Sequence, residues 1–161
     1  MNSDRAQLIA TLEQTPSSLE RLTAGLDDHA LDFRPTPGEW SIREILAHLV
    51  DDEMYVMRTR LERMVKEERP HLAPHDEKHW HATRNTTRDG LAELLADFGV
   101  QRAASLGILK MLRETDWARP GFQPEYGELT ASSWLTSWVA HDTTHIGQIE
   151  TTAAAARRAG G

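Results

Sequence analysis

Apolar residues recur along the chain at three- and four-residue spacing, and nowhere does the pattern alternate as a half-buried strand would. Leu8, Leu12, Thr15, Leu19, Leu22 and Leu26 mark one face of a first helix, with Pro16 expected to kink or interrupt it. Arg34-Pro35-Thr36-Pro37-Gly38 then forbids further helix and reads as a turn. Ser41 and Glu44 have the spacing of a capping box, and Trp40 and Ile45 that of a hydrophobic staple. The second helix that they open should run to about Glu68, before Pro70, with Ile42, Ile45, Leu46, Leu49, Val56, Met57, Leu61 and Met64 inward.

A third helix is expected from about Thr87 to Glu114, with Leu91, Leu94, Leu95, Phe98, Leu109 and Leu112 on its core side. Thr130 caps a fourth, which continues to about Arg157 and frays into Gly160-Gly161. Residues 69–86 and 115–129 read as loops, and no strand is expected. Four amphipathic helices in 161 residues imply an all-α four-helix bundle, one domain over residues 1–161.

Composition narrows the function. With 25 acidic residues against 18 Lys and Arg, the net charge is −7, which disfavours nucleic acid as a partner. The basic residues Arg58, Arg60, Arg63, Lys66 and Arg69 are interleaved with Glu62, Glu67 and Glu68 and read as a solvated helix face rather than an anion patch. There is no cysteine, hence no disulfide, no protein thiol nucleophile and no Cys-ligated metal. The N-terminal Met-Asn-Ser-Asp-Arg does not resemble a secretory signal, and no apolar run approaches the ~18–20 residues that cross a bilayer. A cytoplasmic protein without a membrane partner is the expectation.

The fourth helix carries the strongest chemical signal. Trp134, Trp138, His141, His145 and Ile149 share one side of it, and two histidines four residues apart can converge on one cation. Two hydrogen-bonded core histidines are the plainer alternative. His48, at the edge of the second helix's apolar stripe, becomes a third ligand if the second and fourth helices are neighbours. Three imidazoles leave coordination positions open, the pattern of a catalytic rather than a closed structural site.

Asp52, one turn beyond His48, is a candidate fourth ligand, acceptor for an imidazole N–H, or general base. Asp51 and Glu53 read as solvent-facing. Asp142 and Gln148 are candidates to orient the ligands, and Trp134 and Trp138 are either pocket walls or core. His71, His75, His79 and His81 lack ligand spacing, and with Trp80 they read as a cover over the open end of the bundle.

The segment from Leu31 to Leu49, with Arg34-Pro35, Trp40-Ser41-Ile42-Arg43-Glu44 and His48-Leu49, resembles the N-terminal signature of the DinB-like (YfiT-like) metalloenzyme superfamily. Tyr126-Gly127-Glu128-Leu129-Thr130, followed by His141-Asp142-x-x-His145-x-x-Gln148-Ile149, resembles its C-terminal signature. The resemblance spans about residues 4–155. It implies a four-helix bundle, often a homodimer, with a divalent metal held by His48, His141 and His145. It also implies relatives that transfer bacillithiol or a related low-molecular-weight thiol, or that isomerise maleylpyruvate with mycothiol.

The expected activity is therefore metal-assisted transfer of a small thiol to an electrophile, in detoxification or stress response. Zinc or nickel is the expected ion, with iron or manganese as further options. A metal-dependent hydrolase and a non-catalytic metal-binding stress protein are the competing readings.

Overall fold

The computed structural model describes residues 3–84 and 89–159. Thr87, the expected start of the third helix, and Gly160-Gly161 lie outside the described residues.

Helix α1 (Ser3–Thr23) passes through Pro16 without a break, against expectation. The short α2 (Asp28–Asp32), capped by the Asp27 side chain, follows before the proline turn. Helix α3 (Ile42–Asp52) opens on the expected reciprocal box: the Glu44 N–H donates to Ser41 Oγ, and the Ser41 N–H donates to Glu44 Oε2 at 2.8 Å. It continues through a π-turn over Glu53–Arg58 into α4 (Thr59–Lys66), so that 42–66 is one long rod. The wider turn adds a residue to the backbone and re-aims the side chains after Asp52.

The expected loop 69–86 contains helix α5 (Glu77–Thr83), capped by Asp76. Helix α6 (Leu91–Met111) is shorter than expected at its C-terminal end. A 3-10 turn (Glu114–Ala118) leads to strands β1 (Pro120–Gln123) and β2 (Gly127–Thr130), an antiparallel hairpin where a loop was expected. Four-residue strands are too short to show alternation, and they depend on tertiary pairing: Leu72 N–H donates to the Phe122 carbonyl at 2.7 Å. The fourth long helix, α7 (Ala131–Ala159), is capped by Thr130, whose Oγ1 accepts the Ser133 N–H at 3.1 Å.

Helices α1 and α3 each pack against both α6 and α7. The first two long rods are therefore diagonal in the bundle, and α3 lies beside α7, the condition on which His48 depended. The core falls into two apolar clusters. One holds Leu12, Met57, Leu109 and Trp138, the other Leu19, Leu46, Phe98 and Ile149. Between them every long rod contributes one buried polar residue: Thr15, Glu53, Arg102 and Asp142. Among the described residues no helix is long and apolar enough to cross a membrane.

Candidate metal centre

The three histidines meet beside this polar layer. His48 Nε2 lies 3.0 Å from His145 Nε2 and 3.2 Å from His141 Nε2, and the three ligand atoms all fall within 4.8 Å of one another. Bonds of ~2.0–2.1 Å at tetrahedral angles put two nitrogens ~3.3 Å apart, so a divalent cation fits with only tenths of an ångström of adjustment.

The opposite ring nitrogens face acceptors. His145 Nδ1 donates to Gln148 Oε1 at 2.8 Å, His141 Nδ1 is 3.6 Å from Asp142 Oδ1, and His48 Nδ1 is 3.6 Å from Asp52 Oδ1. Placing the N–H on Nδ1 leaves the Nε2 lone pairs turned toward one another, an arrangement that a cation relieves. The buried His141 Nδ1, Asp142 Oδ1 and Asp52 Oδ1 make no hydrogen bond of their own.

Burial sets two of the rings apart from the third. It pulls His48 down to about 3, with Asp52 opposing, and His145 down to about 4, with neighbouring His141 adding to the effect. Both are neutral and ready to donate at neutral pH. Burial also works against charge on His141, but the Asp142 and Asp52 carboxylates outweigh it and push that ring up to about 9. Burial would raise the Asp52 carboxyl; His141, His48 and His75 outweigh that and hold it below the usual range.

Asp142 is fixed from behind. Its Oδ2 accepts from Thr15 Oγ1 and Arg102 Nη1, both at 2.7 Å. Arg102 also grips Glu53 with two bonds of 2.9 and 2.8 Å, and Trp138 Nε1 donates to Glu53 Oε2 at 3.0 Å. Glu53 is thus buried, not solvent-facing, because the π-turn aims it at Arg102. Asp51 is buried too, accepting from Trp80 Nε1 at 2.8 Å and pairing with Arg84 Nε at 2.6 Å. Arg102 carried a sequence signal that the helical reading passed over: it interrupts the apolar face of α6 between Phe98 and Leu109.

Helix α5 and the chain before it cover the site. Trp80 is anchored on Asp51; His81 Nε2 lies 3.1 Å from Glu44 Oε1 and stacks on Trp40; His75 Nε2 lies 3.2 Å from Asp52 Oδ1. His71 instead pairs along β1 at Phe122, and His79 is exposed on α5. The four loop histidines do not gather into a second cluster among the described residues.

Two cavities reach the centre. One of about 700 Å³ has Trp40, Ile45, Lys78, His145 and Gln148 in its wall. The other, of about 380 Å³, is walled by Asp52, Met57, Arg60, Trp134 and His141. Trp134 therefore serves both roles considered for it, buried core and pocket wall. Trp138 is core alone. Arg60, expected on a solvated face, is buried.

The model of the DinB superfamily matches residues 11–149, a span that includes all three histidines. YfiT from Bacillus subtilis, named a "putative metal-dependent hydrolase", is 27% identical over 144 residues, 88% of this chain and 79% of that protein. A protein of the same description from Bacillus licheniformis is 30% identical over 147 residues, covering 88% and 81%. The solved structure of YfiT, described as a probable metal-dependent hydrolase with an unusual four-helix bundle topology, superposes with a TM-score of 0.87 at 25% identity. That match covers 99% of this chain and 90% of the YfiT chain.

Proposed function

The chain belongs to the DinB superfamily, and from that premise we propose that it is a metal-dependent enzyme joining a low-molecular-weight thiol to a small electrophile at the three-histidine centre. The supporting observation is the pair of cavities, one walled by His145 and the other by His141 and Asp52. Hydrolysis needs room for one organic molecule and water, whereas transfer needs room for two organic molecules.

The chain has no cysteine, so the sulfur must arrive with a cosubstrate. A divalent cation at the imidazoles supplies Lewis acidity, which lowers a thiol's pKa until the thiolate is populated near neutral pH. The protein's own groups do the rest. His48, His141 and His145 present the lone pairs, and Gln148 and Asp142 fix the rings. Asp52, held ionised at the edge of the centre beside His141, accepts the proton when the S–H bond breaks. The covering α5 keeps water out while the sulfur–carbon bond forms and the leaving group departs with its electron pair.

Hydrolysis is the second reading, favoured by the descriptions that the relatives carry. Water beside Asp52 would then replace the thiol. The test is protein loaded with zinc or nickel, given chlorodinitrobenzene, simple esters and a panel of small thiols. Transfer predicts chloride release above the spontaneous rate only with thiol and metal together. Ester turnover without thiol would establish hydrolysis instead, and metal-loaded protein inert in both assays would reject both readings.

A further inference from the structure

Among the described residues three arginines are buried: Arg43, Arg60 and Arg102. Arg43 is met by Asp28 at 2.7 Å and Asp32 at 2.6 Å, and Arg102 by Glu53 at 2.8 Å and Asp142 at 2.7 Å. Arg60 is 8% exposed, and among the described residues no carboxylate is in ion-pair contact with it. Its Nη2 donates to the Ala73 carbonyl at 2.8 Å, and its guanidinium lies over the Trp134 ring at 5.2 Å. The remaining N–H donors are unused. A guanidinium keeps its charge at any physiological pH, and burying that charge without a counter-ion in contact is costly.

The guanidinium, which no carboxylate contacts, faces a space of suitable size. Arg60 lines the cavity of about 380 Å³ together with Asp52 and His141, and Val56, Met57 and Leu129 form an apolar stretch of its wall. Asp52 lies on the same wall, but its carboxylate is already met by His75 at 3.2 Å and His141 at 3.5 Å. Glu77 and Glu125 also border the cavity; Glu125, like Asp52, acts on Arg60 through space without an ion-pair contact. The fork of a guanidinium matches the two oxygens of a carboxylate, and stacking on Trp134 holds that fork in place.

We propose that this cavity binds a carboxylate-bearing organic electrophile, with its carboxylate on Arg60 and its apolar body against Val56, Met57 and Leu129. The assignment rests on the transfer reading for the word electrophile; the carboxylate site itself does not. The larger cavity, which reaches His145 and has Trp40, Lys78, Gln148 and Thr151 in its wall, is left to the thiol. Arg60 thus selects the substrate and orients its reactive carbon beside Asp52 and His141.

The test compares phenylacetate with phenylacetamide, which match in shape and differ in charge, by calorimetric or NMR titration of metal-free protein. Without metal, the cation cannot itself attract the acid. Wild type should bind the acid about tenfold tighter, and Arg60→Met should remove that preference while still binding the amide. Equal binding of acid and amide by wild type, or an undiminished preference in Arg60→Met, would overturn the proposal. If Arg60→Met does not fold, Arg60→Lys, which keeps the charge and loses the fork, should weaken acid binding several-fold, and unchanged acid binding by Arg60→Lys would overturn the proposal.

In zinc-loaded protein with an active thiol, phenylacetate should compete with the electrophile. Competition with the thiol would overturn the placement of the electrophile. Failure of thiol transfer alone leaves the acid-over-amide comparison intact, so the two readings fail separately.

Discussion

His48 Nε2 and His141 Nε2 face each other at 3.2 Å across the seam between α3 and α7, yet their affinities for a proton lie far apart, at about 3 and about 9. A single proton, held on His141, can be shared toward His48 as an N–H···N bond. It is also the proton that an incoming cation must displace, because a metal takes the neutral ring.

Zinc binding to the metal-free protein should therefore release about one proton at pH 6, where His48 and His145 are already neutral. Affinity should fall about tenfold for each pH unit between about 8 and 5, and more steeply below about 4, where His145 and then His48 gain protons. Calorimetry in buffers of different ionisation enthalpy counts the protons. Release of none, or of three, would contradict this distribution of charge.

The same shifts give the metal-free protein a stability maximum near the ordinary histidine value of about 6.5. His48 and His145 are harder to protonate folded than unfolded, so stability falls as pH drops from about 6.5 toward 4 and 3. His141 is easier to protonate folded, so its contribution is complete below about 6.5 and is lost as pH rises through about 9. Urea midpoints between pH 5 and 9 should trace this dome. A monotonic rise with pH would contradict the assignment to His141.

Arg102→Met should cost about 3–5 kcal/mol, because it strands two buried carboxylates, Glu53 and Asp142, without their shared partner. Chemical denaturation measures the loss. A change below about 1 kcal/mol would mean that the polar layer is not held by this ion pair.

How much of this was legible in the sequence differs from residue to residue. The Ser41–Glu44 box and the His141–His145 spacing are local, and each had its expected form in the chain itself. His48 was legible only through a condition, the adjacency of its helix to α7, which the diagonal placement of α1 and α3 supplies. Glu53, Arg60 and Arg102 were not legible as buried residues, because burial of a charge depends on what meets it in space. Glu53 and Arg102 are 49 positions apart. Arg60 belongs to a run of charges whose other members remain at or near the surface, and only the approach of Ala73 and Trp134 distinguishes it. The β1–β2 hairpin escaped for a similar reason, since its pairing partner at Pro70–Leu72 lies outside the hairpin.

That hairpin makes its own prediction. A Cβ at Gly121 would stand 2.8 Å from Met64 Cγ and 3.0 Å from Leu72 Cδ1. Gly121→Ala should therefore destabilise the protein by about 1–3 kcal/mol through overpacking. A neutral thermal midpoint would show that Met64 can move aside freely.

The central claim is that His48, His141 and His145 hold one divalent ion, and elemental analysis of protein purified without a histidine tag tests it most directly. The account predicts about one ion per chain in the wild type, and little or none in His145→Ala or His48→Ala under the same preparation. Full metal content in both folded variants would contradict it.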